Sequence, residues 1–288
     1  MAIEKVGVVG GGLMGSGIAQ TAAQSGYDVL LLEINQELLD KGMARVTGAW
    51  EMLQNKGKMS AEQAQENRGR IRGTLDLGAF HDRDLVIEAI IENLDQKRAL
   101  FRQLDEIVQP QALLVSNTSS LPITELAAVT NRESQVAGLH FFNPAPVMKL
   151  VEIVRTIATS DATTDELRAF AKSLGKTPIV AKDTAGFVVN FLLIPYMLAA
   201  IRMYEHGVAT MEDIDTGMKL GCGYPMGPLE LLDYVGLDTT LYAAEQIYAE
   251  NPDPAYAPPT LLPRMVQAGR YGKKNGKGFY VGAEREQK

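Results

Sequence analysis

The chain has 288 residues, which at about 100–200 residues per domain leaves room for one large domain or two ordinary ones. Hydrophobic residues make up 46% and charged residues 22%, the profile of a soluble globular protein; long disorder, a collagen-like fibre and a low-complexity tract are excluded. With 28 basic and 35 acidic residues the formal charge is −7, which argues against a nucleic-acid partner but leaves room for a local basic patch that meets a phosphorylated small molecule. The single cysteine, Cys222, permits neither an internal disulfide nor a Cys-rich metal site, so no metal is expected. Cys222 itself is expected to be a small buried hydrophobe.

The first apolar run, Val6-Gly7-Val8-Val9, leads straight into glycines. It reads as a strand over Lys5–Gly10 rather than a signal peptide, and the expected location is the cytoplasm, or a matrix-like compartment if a leader has been removed. A helix over Leu13–Ser25 ends at Gly26. Asp28–Glu33 reads as a buried strand and Gln36–Asn55 as a long helix, and Ser60-Ala-Glu-Gln63 has the spacing of a capping box. Asp84–Ile91 and Leu113–Ser116 read as strands flanking an amphipathic helix over Leu94–Val108, and Pro122 suits the first turn of a short helix. Gln135–Phe142 and Leu150–Val154 are expected strands. Thr163-Thr-Asp-Glu166 is expected to open a helix that ends at Gly175, and Ile179–Ala181 is a last short strand.

This rhythm predicts an α/β fold, a Rossmann-type doubly wound and mostly parallel sheet over residues 1–183. Beyond Gly186 only helical periodicity remains, so residues 184–288 are expected to form an all-helical C-terminal domain. Its apolar segment Phe187–Ile201 contains Asn190 and Pro195 and is shorter than the ~20 residues of a membrane span. It is expected to be a core helix or a homodimer interface, not a membrane anchor. Five of the 13 prolines lie between Pro252 and Pro263 and mark a stiff loop between helices.

Gly10-Gly11-Gly12-Leu13-Met14-Gly15 contains G-x-G-x-x-G, placed after a strand and before a helix. Glu33 ends the next strand, 33 − 15 = 18 residues beyond Gly15. Gly10 permits the tight turn, Gly12 admits a pyrophosphate, and Gly15 lets helix and strand pack closely. Glu33 would accept hydrogen bonds from adenosine ribose hydroxyls and repel a 2′-phosphate, so NAD is expected rather than NADP. FAD shares the fingerprint, and a plain Gly-rich turn is the bland alternative.

There are three histidines. His81 lies in a polar stretch and His206 at the end of an apolar helix, where a cation suits the dipole. His140 ends a strand that runs into Asn143-Pro144-Ala145-Pro146, and the chain returns through Glu152. If the two segments fold back around Pro146, residues 140 and 152 lie opposite each other, and a histidine would partner a carboxylate that is otherwise costly to bury. Beside a nicotinamide such a pair suits alcohol oxidation, with His140 as general base and Glu152 orienting it. An ion pair that only closes the sheet is the alternative.

The runs Gly10-Gly-Gly-Leu-Met-Gly15-Ser-Gly17, Ser116-Asn-Thr-Ser-Ser-Leu121, His140-Phe-Phe-Asn-Pro144, Asp183-Thr-Ala-Gly-Phe-Val-Val-Asn190, Gly221-Cys-Gly-Tyr-Pro-Met-Gly-Pro228 and Gly276-Lys-Gly-Phe-Tyr280 occur in order along the chain. Together they resemble the L-3-hydroxyacyl-CoA dehydrogenases, in particular the stand-alone bacterial 3-hydroxybutyryl-CoA enzymes. The resemblance implies NAD-dependent oxidation of the 3-hydroxyl of a short-chain acyl-CoA. It assigns catalysis to His140 and Glu152, substrate positioning to Ser119 and Asn190, and a place facing the reacting centre and the cofactor to Asn143. Ser119 also lies near the nicotinamide, while Leu13, Met14, Glu33, Glu92, Lys97 and Lys274 match cofactor contacts. Lys56 matches a contact to the CoA phosphates.

Blander readings stand beside these. Lys56 and Lys58 could be solvated lysines, Ser119 and Ser120 could cap the short helix after Pro122, and Glu92 and Lys97 could be exposed helix-start charges. Asn190 needs a polar partner, which a backbone group could supply. Two positions depart from the family: Phe191 stands where many relatives have Arg, and Ala49 where they often have Ser. A dehydrogenase of a free 3-hydroxy acid or sugar acid, and a non-catalytic NAD-binding protein, are the competing functions.

Overall fold

A computed structural model describes residues 3–280 of the chain, which divides into two compact units, Met1–Thr184 and Ala185–Lys288. In chain order the first unit runs β1 (Lys5–Val9), α1 (Leu13–Gln24), β2 (Asp28–Leu32), α2 (Gln36–Asn55), α3 (Ala61–Gly69), β3 (Ile71–Thr74), β4 (Leu85–Glu88) and α4 (Leu94–Ile107). It continues with β5 (Leu113–Ser116), α5 (Ile123–Ala127), β6 (Val136–Phe141), β7 (Leu150–Arg155), α6 (Asp161–Ser173) and β8 (Thr177–Lys182). The eight strands form one sheet in the order β3-β2-β1-β4-β5-β6-β7-β8, parallel throughout except where β7 runs antiparallel to β6. The order reverses direction between β1 and β4, and in open sheets of this kind ligands bind there, beyond the carboxyl ends of the strands.

The central strands are apolar because helices cover both faces. Val6, Val8, Val29, Leu31, Leu85, Ile87, Val115 and Leu139 are all buried, and they pack with Ile18, Ala22, Trp50 and Phe170 in one core. Helix starts follow local chemistry. Asn35 caps α2, Asn93 caps α4, and Ser60 with Gln63 forms the reciprocal capping box that opens α3. α6 begins earlier than its sequence suggests. Ser160, not Thr163, accepts the capping N–H, while the Thr163 hydroxyl donates to the Ser134 carbonyl and that of Thr164 to the Ser160 carbonyl. β3 has no counterpart in the sequence reading. It is an edge strand whose Arg72 and Gly73 are exposed, so it lacks the apolar pattern that marks the buried strands.

The second unit contains α7 (Val189–Glu205), α8 (Met211–Cys222), α9 (Pro228–Val235), α10 (Leu237–Glu250) and α11 (Leu261–Gln267). Ile194, Met197, Leu198, Ile201, Leu229, Leu232, Ala244, Ile247 and Leu262 form its core. Asp215 on α8 caps the start of α9 through the Leu229 and Glu230 amides. Asp233 receives the amides of Phe279 and Tyr280, which ties the C-terminal segment to α9. The prolines after α10 form the connection to α11, and Arg202 of α7 donates to the carbonyls of Pro254 and Ala255 within it. Phe191 packs on Tyr256, with ring centroids 5.2 Å apart. Cys222 is exposed at the last turn of α8 rather than buried, because the helix stops there at the left-handed Gly223. Among the described residues no helix is long and apolar enough to cross a membrane, and no group of three or more His, Cys, Asp or Glu is placed to hold a metal ion.

At the amino ends of β1, β2 and β4, Asp82 is gripped by Lys5 and Arg83, and Arg83 also reaches Asp28. Burial raises the pKa of the Asp82 carboxyl, but the hydrogen bonds and charges of Lys5 and Arg83 outweigh it and bring the pKa down from 3.8 to about 2. A depressed folded-state value stabilises the fold above the unfolded value, and the contribution is lost as pH falls from about 4 to about 2. Asp82→Asn should therefore cost only about 0.2–1 kcal/mol at neutral pH, given its exposure, and the gap between the two denaturation midpoints should close over that acid window. A gap that is unchanged at pH 2 would contradict the pairing.

Candidate active site

The first unit gathers polar and glycine residues at the carboxyl ends of its parallel strands. The turn after β1 is built so that only glycine fits at two positions. Gly10 has φ +98°, and a Cβ there would lie 2.6 Å from the Ala89 carbonyl oxygen. A Cβ on Gly15 would lie 1.8 Å from the Gly10 carbonyl oxygen. Gly12 is different, because nothing of the protein lies within 4 Å of a Cβ built on it. It is the N-cap of α1, no side chain caps the helix, and Leu13 beside it is 64% exposed. The helix therefore offers uncapped N–H groups and its positive end to open space, the requirement for a pyrophosphate.

Glu33 follows β2. One of its oxygens accepts the Gly11 amide at 2.6 Å and the other the Ile34 amide at 3.1 Å. A carboxylate has lone pairs beyond these two and can still receive ribose hydroxyls. Arg45 on α2 braces the same turn, its guanidinium donating to the Gly11 carbonyl at 3.0 Å. These features fit a dinucleotide such as NAD: an uncapped helix start, a glycine with nothing over it, and a half-buried carboxylate on the next strand.

β4 ends in Glu88, which is fully buried. One Glu88 oxygen accepts the Lys97 ammonium at 2.5 Å and the Ile90 amide at 2.7 Å, and the other accepts the Ser116 hydroxyl at 2.5 Å. Lys97 is 1% exposed and also reaches Glu92 at 3.1 Å, so it is not the solvated helix-start charge that its position suggested. Glu92 in turn accepts the hydroxyls of Thr118 and Ser120. One ammonium thus joins the ends of β4 and β5 and fixes the turn that carries Ser119. Burying such charges is tolerable only because each is met, and removing one partner of a buried pair typically costs about 3–5 kcal/mol. Neither Ser119 nor Ser120 caps α5. Asp183, at the end of β8, does so through the amides of Ile123 and Thr124 and the Thr124 hydroxyl.

β6 and β7 supply the remaining groups. Their antiparallel register sets His140 directly opposite Glu152. The imidazole Nδ1 and a Glu152 carboxylate oxygen are 2.7 Å apart; the ring N–H donates and the carboxylate accepts. His140 is 6% exposed and Glu152 is fully buried. Phe142 lies against the imidazole with ring centroids 4.5 Å apart. Asn117, just past β5, accepts the Phe141 amide at 2.9 Å and joins the end of β6 to the Ser119 turn. Asn143 is exposed immediately beyond β6 and precedes Pro144 through a cis peptide bond.

Gly10, Gly12, Leu13, Met14, Gly15, Glu33, Glu92, Lys97, Ser119, His140, Asn143 and Glu152 all belong to the first unit, on its strands, on the loops beside them or in the first turns of α1 and α4. Lys56 is the exposed C-cap of α2, and Ala49 lies two turns before it on the same helix. Asn190 and Lys274 belong to the second unit. Asn190 is half-buried in the first turn of α7, and the Lys274 ammonium is held by Asp238 at 2.8 Å and by the Thr239 hydroxyl at 2.6 Å. The sequence reading passed over Glu88, Asn117 and Asp183. Glu88 was within its reach, since a carboxylate that closes an apolar strand needs a partner for the same reason as Glu152. Asn117 and Asp183 act through backbone amides far along the chain, which leaves no mark in local spacing.

The family model of the 3-hydroxyacyl-CoA dehydrogenase NAD binding domain matches residues 5–184, and that of the C-terminal domain of the same family matches residues 186–282. The chain is 47% identical to the 3-hydroxybutyryl-CoA dehydrogenase of Mycobacterium tuberculosis over 97% of its own length and 99% of that protein. It is also 47% identical to the human mitochondrial hydroxyacyl-coenzyme A dehydrogenase, covering 96% of this chain and 91% of the relative. Among solved structures, the (S)-3-hydroxybutyryl-CoA dehydrogenase PaaH1 of Ralstonia eutropha superimposes with a TM-score of 0.94 at 45% identity, covering 97% of this chain and 99% of that one. The chain belongs to the 3-hydroxyacyl-CoA dehydrogenase family.

Proposed function

We propose that the protein oxidises the 3-hydroxyl of (S)-3-hydroxybutyryl-CoA and related short-chain 3-hydroxyacyl-CoA thioesters to the 3-keto group, with NAD as acceptor, in a reversible reaction. The observation that carries this reading is the His140–Glu152 hydrogen bond, set on the same sheet edge as the uncapped glycine turn. When bound, NAD supplies the two-electron acceptor. Gly10, Gly12, Leu13, Met14, Gly15 and Glu33 hold its adenosine and pyrophosphate part, with Glu92, Lys97, Ser119, Asn143 and Lys274 as further contacts.

The chain's own part in the reaction is to move one proton. Glu152 binds the Nδ1–H of His140 and so directs Nε2 as the basic nitrogen. Nε2 takes the proton of the substrate hydroxyl as the carbon–hydrogen bond gives up its electron pair and the carbonyl forms. Glu152 then stabilises the imidazolium, and in the reverse direction the same imidazolium returns the proton. Ser119 and Asn190 position the substrate, Asn143 faces the reacting centre, and Lys56 meets the CoA phosphates. Residues 1–183 on this reading form the cofactor domain with the His–Glu pair, and residues 184–288 the substrate and dimerisation domain. The compartment that this reading assigns is the cytoplasm, where a lone exposed thiol such as Cys222 stays reduced.

The test is NADH oxidation with acetoacetyl-CoA and, in parallel, with free acetoacetate. Rapid oxidation with the thioester and at least ~100-fold less with the free acid is expected, since only the thioester engages a CoA site. Turnover of acetoacetate alone would make the protein a free-acid dehydrogenase, and NADH binding without turnover of any hydroxyacyl or ketoacyl compound would make it a binding protein. We also propose a homodimer through the second unit, where α7 leaves Leu192 67% exposed and Met203 42% exposed. Light scattering should give twice the 31.3 kDa chain mass. A stable monomer at assay concentration would exclude the dimer.

A further inference from the structure

The loop between β6 and β7 joins His140 to Glu152, and its own hydrogen bonding is thin. Pro144 and Pro146 have no N–H to give. The amides of Val147 and Met148 both turn back to the Pro144 carbonyl, at 2.9 and 3.0 Å, and the Thr177 amide closes on the Lys149 carbonyl at 2.6 Å. The carbonyls of Ala145 and Met148 face a single side chain instead. Lys176, which ends the connection from α6 to β8, places its ammonium 2.6 Å from the first and 2.8 Å from the second. Lys176 is 7% exposed, and among the described residues no carboxylate forms an ion pair with it. Burial pushes its pKa below that of an ordinary lysine.

A buried cation held only by backbone carbonyls is an expensive way to fill space, and methionine would fill it without the desolvation cost. What the ammonium adds is a pair of charge-assisted hydrogen bonds, about twice as strong as neutral ones, at the underside of this one loop. The loop also rests on α1: a Cβ on Gly17 would lie 3.1 Å from Pro146 and 3.3 Å from the Ala145 Cβ. The loop is therefore held both by the helix that starts at the glycine turn and by the ammonium of Lys176.

We propose that Lys176 is a positioning residue: by pinning the Ala145 and Met148 carbonyls it fixes the 143–149 loop and, through it, the alignment of the His140–Glu152 pair and the place of Asn143. The catalytic part of this rests on the proposed role of His140, and the geometric part does not. With three histidines in the chain, ring-labelled histidine NMR on the full-length protein without cofactor or substrate reads His140 against His81 and His206 as internal controls.

In Lys176→Met the His140 ring signals should shift while those of His81 and His206 stay in place. In the same variant kcat should fall at least tenfold, with the NADH dissociation constant within twofold of wild type. Lys176→Arg, which keeps the charge and the donors, should recover most of the loss. If Lys176→Met does not fold, Lys176→Gln, with two N–H donors on a side chain one bond shorter, is read in the same way. A folded variant whose His140 signals coincide with wild type overturns the proposal, as does a fall in kcat matched by an equal loss of NADH affinity. An inactive wild-type protein would count against the dehydrogenase reading and leave the NMR comparison standing.

Discussion

The site depends on a carboxylate that has nowhere to go. Glu152 is wholly buried in the middle of β7, flanked in sequence by Val151 and Ile153. An unpaired carboxylate there would cost several kcal/mol, enough to consume much of the stability of an ordinary domain. The antiparallel register places His140 across from it, and one 2.7 Å hydrogen bond meets the need. The same bond fixes which imidazole nitrogen carries the proton. One contact thus meets a stability requirement of the sheet and, on the proposed role of His140, the orientation requirement of a general base. The antiparallel pairing of β6 and β7 makes this possible, because a short return of the chain brings a residue close in sequence opposite His140.

Around that contact the protein uses charge sparingly and always with partners. The Lys97 ammonium lies between Glu88 and Glu92, and the hydroxyls of Ser116, Thr118 and Ser120 complete the carboxylates. Asn117 and Asp183 spend their side chains on backbone amides. The loops at the carboxyl ends of β4, β5 and β6 are therefore tied to one another by polar groups, whereas the sheet below them is held by apolar packing. Rigid loops on a packed sheet suit a reaction whose geometry must be held within fractions of an ångström. The glycine turn is the exception that lets a ligand in. A Cβ on Gly10 or Gly15 would collide with backbone, while one on Gly12 would meet nothing within 4 Å.

Much of this was legible in the sequence, for reasons that can be named. β1, β2, β4 and β5 are apolar apart from one end residue each, and Asn35, Ser60 and Asn93 stand where helices begin, so the alternating fold could be read directly. The opposition of His140 and Glu152 followed from their equal distance to Pro146. β3 escaped because an edge strand with Arg72 and Gly73 exposed carries no pattern. The start of α6 was misplaced because Thr163 and Thr164 resemble caps but donate to carbonyls instead. Cys222 was misjudged because its residue type favours burial, whereas its place at the final turn of α8 exposes it. The ties made by Lys176 and Asp183 bridge residues roughly 30 and 60 positions apart, 176 − 145 = 31 and 183 − 123 = 60, and only the fold reveals them.

The central claim is that His140 moves the proton and Glu152 orients it. The most direct measurement is steady-state turnover of acetoacetyl-CoA by His140→Gln and Glu152→Gln, with the NADH dissociation constant determined on the same samples. The account predicts that kcat falls by about 10²–10⁴ in His140→Gln, the share of the rate ordinarily due to a positioned acid–base group, and substantially in Glu152→Gln, with NADH binding almost unchanged in both. A folded His140→Gln protein that turns over within a few-fold of wild type would contradict it and leave the pair as a structural contact in the sheet.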